Sequence, residues 1–198
     1  FDLIGKLKEK ISVPIHLHTH DTSGMAVATY AKAIEAGVDV IDTAISSMAS
    51  GTSQPPVETM VRILEGGPRD PKFDMALLTE IADYFLEVRK EYREFESEYT
   101  GVDPRVLTYQ IPGGMTSNLA RQLSEQKALH RMKDVLDEVP RVREDFGFPP
   151  LVTPASQIIG TQATLNVLTG ERYEVITTET SSYLRGPYGN PPGQIHEE

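Results

Sequence analysis

The sequence predicts an α/β fold in which two strand–helix units lead into a mainly helical extension. Three observations carry this expectation. Residues 13–20 alternate with the period of a strand, and residues 38–44 form a second short apolar run one helix further on. Beyond Pro71 the apolar residues recur at helical spacing. Strand, helix and strand in such compact order is the grammar of a parallel sheet.

The elements follow in order. Leu3, Ile4, Leu7 and Ile11 lie on one helical face and predict an opening amphipathic helix. His16, His18 and His20 share one side of the first strand, with Ile15, Leu17 and Thr19 on the other. Asp21, Thr22, Ser23 and Gly24 supply turn and cap chemistry, and a helix over 25–36 ends at Gly37 in the left-handed position. A loop rich in Ser and Gly at 46–54 leads through Pro55 and Pro56 to a helix reaching Glu65. Gly66, Gly67, Pro68 and Pro71 break the chain there and mark the best boundary. Asp74 then caps a helix expected over 75–99, with Leu78, Ile81, Phe85, Val88, Tyr92 and Phe95 on one side. Further helices are expected over 117–126, 127–146 and 155–168, and residues 181–198 read as a linker or tail. The domains expected are therefore 1–66, 67–180 and 181–198. Two strands cannot close a barrel, and the opening Phe1 suggests a piece of a longer chain.

Composition narrows the classes. With 39% hydrophobic and 24% charged residues, the chain can bury a core. A net charge of -10 argues against a nucleic-acid surface. The absence of Cys rules out disulfides and thiolate metal sites, and is compatible with a cytoplasmic location. No apolar run approaches the roughly 20 residues a membrane span needs.

The sharpest chemistry is the His-x-His-Asp step at His18, His20 and Asp21. Neutral imidazoles on one rigid strand can present nitrogens to a common cation. In parallel α/β barrels, sites lie at the carboxyl ends of strands. His18 and His20 are nearest that end, whereas His16 lies deeper and is the poorest candidate ligand. The bland alternative is a set of hydrogen-bonded core histidines.

Residues 18–24, His-Thr-His-Asp-Thr-Ser-Gly, resemble the metal-binding strand of the pyruvate carboxyltransferase superfamily, and residues 36–48 resemble its final barrel strand. Two later segments narrow the likeness. Residues 109–119, containing Pro112-Gly113-Gly114-Met115, and residues 152–160, containing Thr153-Pro154-Ala155-Ser156-Gln157, are similar to two signatures of biotin-dependent carboxyltransferases. Taken alone, each reads as an ordinary turn or helix cap. Met115 and Gln157 stand where single-chain pyruvate carboxylases commonly have Gln and Lys. In both they look more like oxaloacetate decarboxylase α subunits and separate carboxyltransferase subunits.

The resemblance implies the last two βα units of a TIM-type barrel followed by a helical post-barrel domain. It implies that His18 and His20 bind a divalent metal (Zn, Mn or Co) that stabilises an enolate. An aspartate and a carbamylated lysine would precede Phe1 as further ligands. It implies that Thr153 shuttles a proton between the biotin nitrogen and the enolate, with Ser156, Gln157 and Met115 in the biotin pocket. The partners implied are pyruvate or oxaloacetate, a biotin carrier outside this segment, and a homodimer or larger carboxylase complex. The location implied is cytoplasmic, with a peripheral place on a membrane complex left open. The segment alone is expected to be inactive. Two alternatives stand beside this: a biotin-independent lyase, aldolase or synthase of the same superfamily, and a noncatalytic helical assembly module.

Overall fold

The computed structural model describes residues 1–96, 101–111 and 113–196. The chain divides into two compact units, Phe1–Pro104 and Arg105–Glu198. The division falls later than the Gly-Pro break at 66–71, because the next helix packs back on the first unit rather than opening the second.

The first unit begins with helix α1, Asp2–Lys10, and strand β1, His16–Leu17. Helix α2, Ala26–Glu35, then leads to strand β2, Val40–Ile41. The two strands pair in parallel, with His16 opposite Val40 and Leu17 opposite Ile41. The amides of Val40 and Asp42 bond the carbonyls of Ile15 and Leu17, and the paired stretch is shorter than the alternating patterns. The alternation itself persists: Ile15 is buried, His16, His18 and His20 are exposed, and Leu17 and Thr19 lie between. Gly37 ends α2 at φ +94, and the amide of Val38 bonds the Ala33 carbonyl, as a left-handed helix stop requires. Ile4, Ile15, Ala33 and Val38 form the core between the strands and the helices. Hydrophobic burial of these side chains holds the layer together.

Helix α3, Val57–Leu64, follows a one-turn 3-10 segment at Ser46–Met48 and a parallel bridge between Ala44 and Pro56. Helix α4, Met75–Glu91, starts where expected, because the Asp74 carboxylate accepts from the amides of Ala76 and Leu77. It stops earlier than its apolar pattern, breaking into a 3-10 turn at Arg93–Phe95. Residues 97–100 of the expected helix lie outside the described residues. The Arg89 guanidinium donates to the Ser47 carbonyl at 2.7 Å and ties α4 to the first unit. The apolar stripe of α4 contains no buried residue.

The second unit is helical: α5 Val106–Tyr109, α6 Gly113–Glu125, α7 Met132–Asp145, α8 Ala155–Thr169 and α9 Thr178–Leu184. Helix α6 takes Gly113, Gly114 and Met115 into its first turn, so the glycines open the helix rather than precede it. Pro112 lies outside the described residues. Leu119, Leu123, Val135, Val139, Val142, Phe146 and Ile159 fill the core. Residues 181–196 are not a free tail. Thr177 caps α9, Tyr183 is buried, and the amides of Gly193 and His196 bond the carbonyls of Gly147 and Asp145. Aromatic burial is the physical reason that Pro- and Gly-rich chain packs here.

Candidate functional site

The histidine run is held from both sides. Thr19, between His18 and His20, donates its amide to the Tyr30 hydroxyl at 3.0 Å, and Tyr30 is 0% exposed within α2. Asp21 is buried, and its carboxylate accepts from the Ala26 amide at 3.1 Å, capping the start of α2. These bonds fix the backbone on which His18 and His20 stand. Their rings lie 5.2 Å apart, edge to face at 69°.

Asp42 supplies what the strand alone does not. Its carboxylate takes His18 Nδ1 at 2.7 Å and His16 Nε2 at 2.6 Å. The bond to His18, followed by that to His16, holds the Asp42 carboxyl below its ordinary pKa. A carboxylate bonded to Nδ1 favours the tautomer whose Nε2 lone pair faces outward, the arrangement of metal-ligating histidines. His16 instead turns Nε2 to Asp42. Burial, and secondarily His18, lowers the pKa of His20 and favours its neutral, ligating form. The donor set therefore fits a divalent cation in chemistry. It is incomplete, since no group of three or more His, Asp or Glu side chains converges on one point among the described residues. Catalytic zinc sites use three protein ligands.

A second feature lies in the helical unit. Thr153 precedes α8, is exposed, and joins Pro154 through a cis peptide bond. It lines a cleft of about 370 Å³ together with Tyr183, Tyr188 and residues 189–192. Ser156 is buried on the first turn of α8, and Gln157 beside it is exposed. Met115 is 6% exposed, and its Cε meets Gly160 of α8 closely enough that a Cβ there would lie 2.8 Å away. Thus Thr153 lines the cleft, whereas Ser156, Gln157 and Met115 are absent from its described lining. His18 and His20 stand in the first unit, and these four residues in the second.

Residues 1–85 match the HMGL-like family, and residues 106–198 match the family described as a conserved carboxylase domain. Over its whole length the chain is 56% identical to a pyruvate carboxylase subunit of Methanocaldococcus jannaschii. The chain belongs to the biotin-dependent carboxyltransferase family. Another member, the 2-oxoglutarate carboxylase large subunit of Hydrogenobacter thermophilus, is 50% identical over all of this chain. The chain spans 35% and 31% of the length of these two relatives. Among solved carboxyltransferase structures, the Rhizobium etli pyruvate carboxylase domain with pyruvate and biocytin superposes with a TM-score of 0.92. It is 35% identical, covering 99% of this chain and 35% of that one. The fold is accordingly the last two βα units of the family's barrel followed by its helical post-barrel domain.

Two elements of the candidate site were not legible in the sequence. Asp42 follows Ile41 and, one step beyond the observed register, stands beside His18, a placement that only the strand pairing reveals. Tyr183 and Tyr188 had no signal, because their stretch carries the composition of a linker.

Proposed function

We propose that the protein containing this chain transfers a carboxyl group between biotin and pyruvate, with oxaloacetate as the carboxylated keto acid. The observation that carries this reading is the 56% identity, over the full chain, to a pyruvate carboxylase subunit. It gains support from paired imidazoles at a strand end and from a threonine hydroxyl at a cleft.

In this reading, the first unit contributes to the barrel, and the second unit, which includes the packed stretch over 181–196, forms the post-barrel domain. His18 and His20 hold a divalent cation (Zn, Mn or Co) together with ligands from elsewhere in the protein. When bound, such a cation supplies Lewis-acid polarisation of a keto oxygen. Asp42 orients His18 and secures its tautomer.

Carboxyl transfer to pyruvate removes a methyl proton and returns a proton to a biotin nitrogen. A hydroxyl both donates and accepts, so Thr153 can relay that proton without forming a net charge. Its high intrinsic pKa calls for concerted transfer, in which proton arrival and departure are coupled. Ser156 and Gln157, one turn on, and Met115, behind α8, complete the biotin-holding region. The biotin itself is carried on a separate domain, and the assembly is a homodimer or a larger carboxylase complex in the cytoplasm.

The test is Thr153→Ala in the complete enzyme. Loss of a positioned proton-transfer group is expected to slow transfer between carboxybiotin and pyruvate by about 10²–10⁴-fold. Pyruvate binding should stay unchanged. Full activity in that variant would remove Thr153 from the chemistry, and full activity in His18→Ala would do the same for the metal assignment.

A further inference from the structure

Resting on the reading of Thr153 as the proton-relaying group, we infer that Tyr183 is a positioning residue that sets the wall of the cleft it shares with Thr153. Tyr183 lies in the last turn of α9 and is 7% exposed. Its ring stacks on Phe146 at 5.3 Å and 17°, and on Tyr188 at 6.0 Å and 28°. Its hydroxyl donates to the Phe146 carbonyl at 3.1 Å. Burial raises the pKa of this phenol and keeps it a neutral donor. Phe146 is fully buried where α7 ends, so the stack carries a fixed position from the helical core out to Tyr188.

The far end of the wall is fixed independently. Gly193 donates its amide to the Gly147 carbonyl at 2.8 Å, and His196 donates to the Asp145 carbonyl at 3.0 Å. Gly147 adopts φ +75, and a Cβ there would lie 2.5 Å from the Gly193 carbonyl oxygen. The backbones therefore approach as closely as glycine permits. The loop over 188–192 is held by the aromatic stack at one end and by these bonds at the other. That loop lines the same cleft as Thr153. Tyr188 is 48% exposed, leaving part of its surface open to a ligand. Prolines and tyrosines around the threonine suit a flat, uncharged ring such as the cyclic urea of biotin.

The test is steady-state carboxyl transfer in the complete enzyme, with free biocytin and then pyruvate as the varied substrate. Tyr188→Ala touches an exposed ring and leaves the fold intact; Tyr183→Leu removes the centre of the stack. Both are expected to raise KM for biocytin about three- to tenfold, the size of one lost aromatic pair. KM for pyruvate should not move. Tyr183→Phe, which keeps the stack, should recover most of the biocytin KM. Unchanged biocytin KM in both ring-removing variants would overturn the inference, as would an equal rise for both substrates. If Tyr183→Leu fails to fold, Tyr188→Ala decides alone. Thr153→Ala is run in parallel. If it is inactive while the tyrosine variants are normal, only the wall assignment fails; if it is active, the underlying reading fails.

Discussion

Asp42 accepts two imidazoles with one carboxylate, and this sharing is the feature of the histidine site most open to test. Replacing it by Asn preserves shape but leaves a single oxygen acceptor, so both imidazoles can no longer be served as before. Loss of such an outer partner typically weakens metal binding by about 10–100-fold. Asp42→Asn in the complete enzyme should therefore shift divalent-cation competition curves by that amount, and an unshifted curve would remove Asp42 from the role. The pairing of His18 with His20 was readable from a period of two. The carboxylate that holds His18 and His16 was not, because it depends on which residue of β2 comes to lie beside β1 after the intervening helix.

At the scale of elements, α8 is the organising helix of the second unit. Ser156, Ile158, Ile159, Gly160, Gln162, Ala163, Thr164 and Asn166 are all buried, so it is covered on more than one face. Several of its polar groups are bonded inside, although Gln162 Oε1 is left without a partner among the described residues. Gln162 Nε2 donates to Asn166 Oδ1 at 2.9 Å and to the Val175 carbonyl at 2.8 Å, and Asn166 Nδ2 donates to Glu138 Oε1 at 2.9 Å. Arg172 Nε reaches the same Glu138 oxygen at 2.7 Å, tying the loop after α8 to α7. Gly160 is where α6 meets α8. A Cβ there would lie 2.8 Å from Met115 Cε and 3.2 Å from Leu119 Cδ2. Gly160→Val should thus overpack this contact and cost about 1–3 kcal/mol. A denaturant titration reads this as a lower midpoint at unchanged slope; an unshifted midpoint would mean that Met115 and Leu119 yield without strain. Helix α4 teaches the opposite lesson. Its apolar periodicity correctly predicted a helix, but periodicity does not say what covers the stripe.

For the chain as a whole, acid should be the destabilising direction. The Asp39 carboxylate accepts the Ile15 amide at 2.7 Å and Lys8 Nζ at 2.9 Å, linking α1, the start of β1 and the approach to β2. The backbone bond first, and Lys8 second, hold its pKa below the ordinary value of 3.8. Because the folded pKa is depressed, the unfolded chain binds the proton more readily. This contribution is complete above about pH 4 and is lost as pH falls through the lower folded value. Asp70, held by the amides of Gly66 and Lys72, acts in the same direction. Urea midpoints measured down from pH 5 should fall across this window. They should fall less steeply in Asp39→Asn, which starts from lower stability; identical slopes would show that Asp39 is not linked to folding.

The sequence by itself determined the features that depend on neighbours along the chain. The side-chain alternation of the histidines, the Asp74 cap, the Gly37 stop and the motifs around Thr153 are local patterns, since periodicity and capping act over a few covalent steps. Tertiary structure decided what requires distant residues to meet. It paired Asp42 with His16 and His18, buried Met115 against Gly160, kept α4 with the first unit and stacked Tyr183 between Phe146 and Tyr188. Each is a contact whose geometry comes from packing, where burial of side chains overrides the loop-like composition of the local chain.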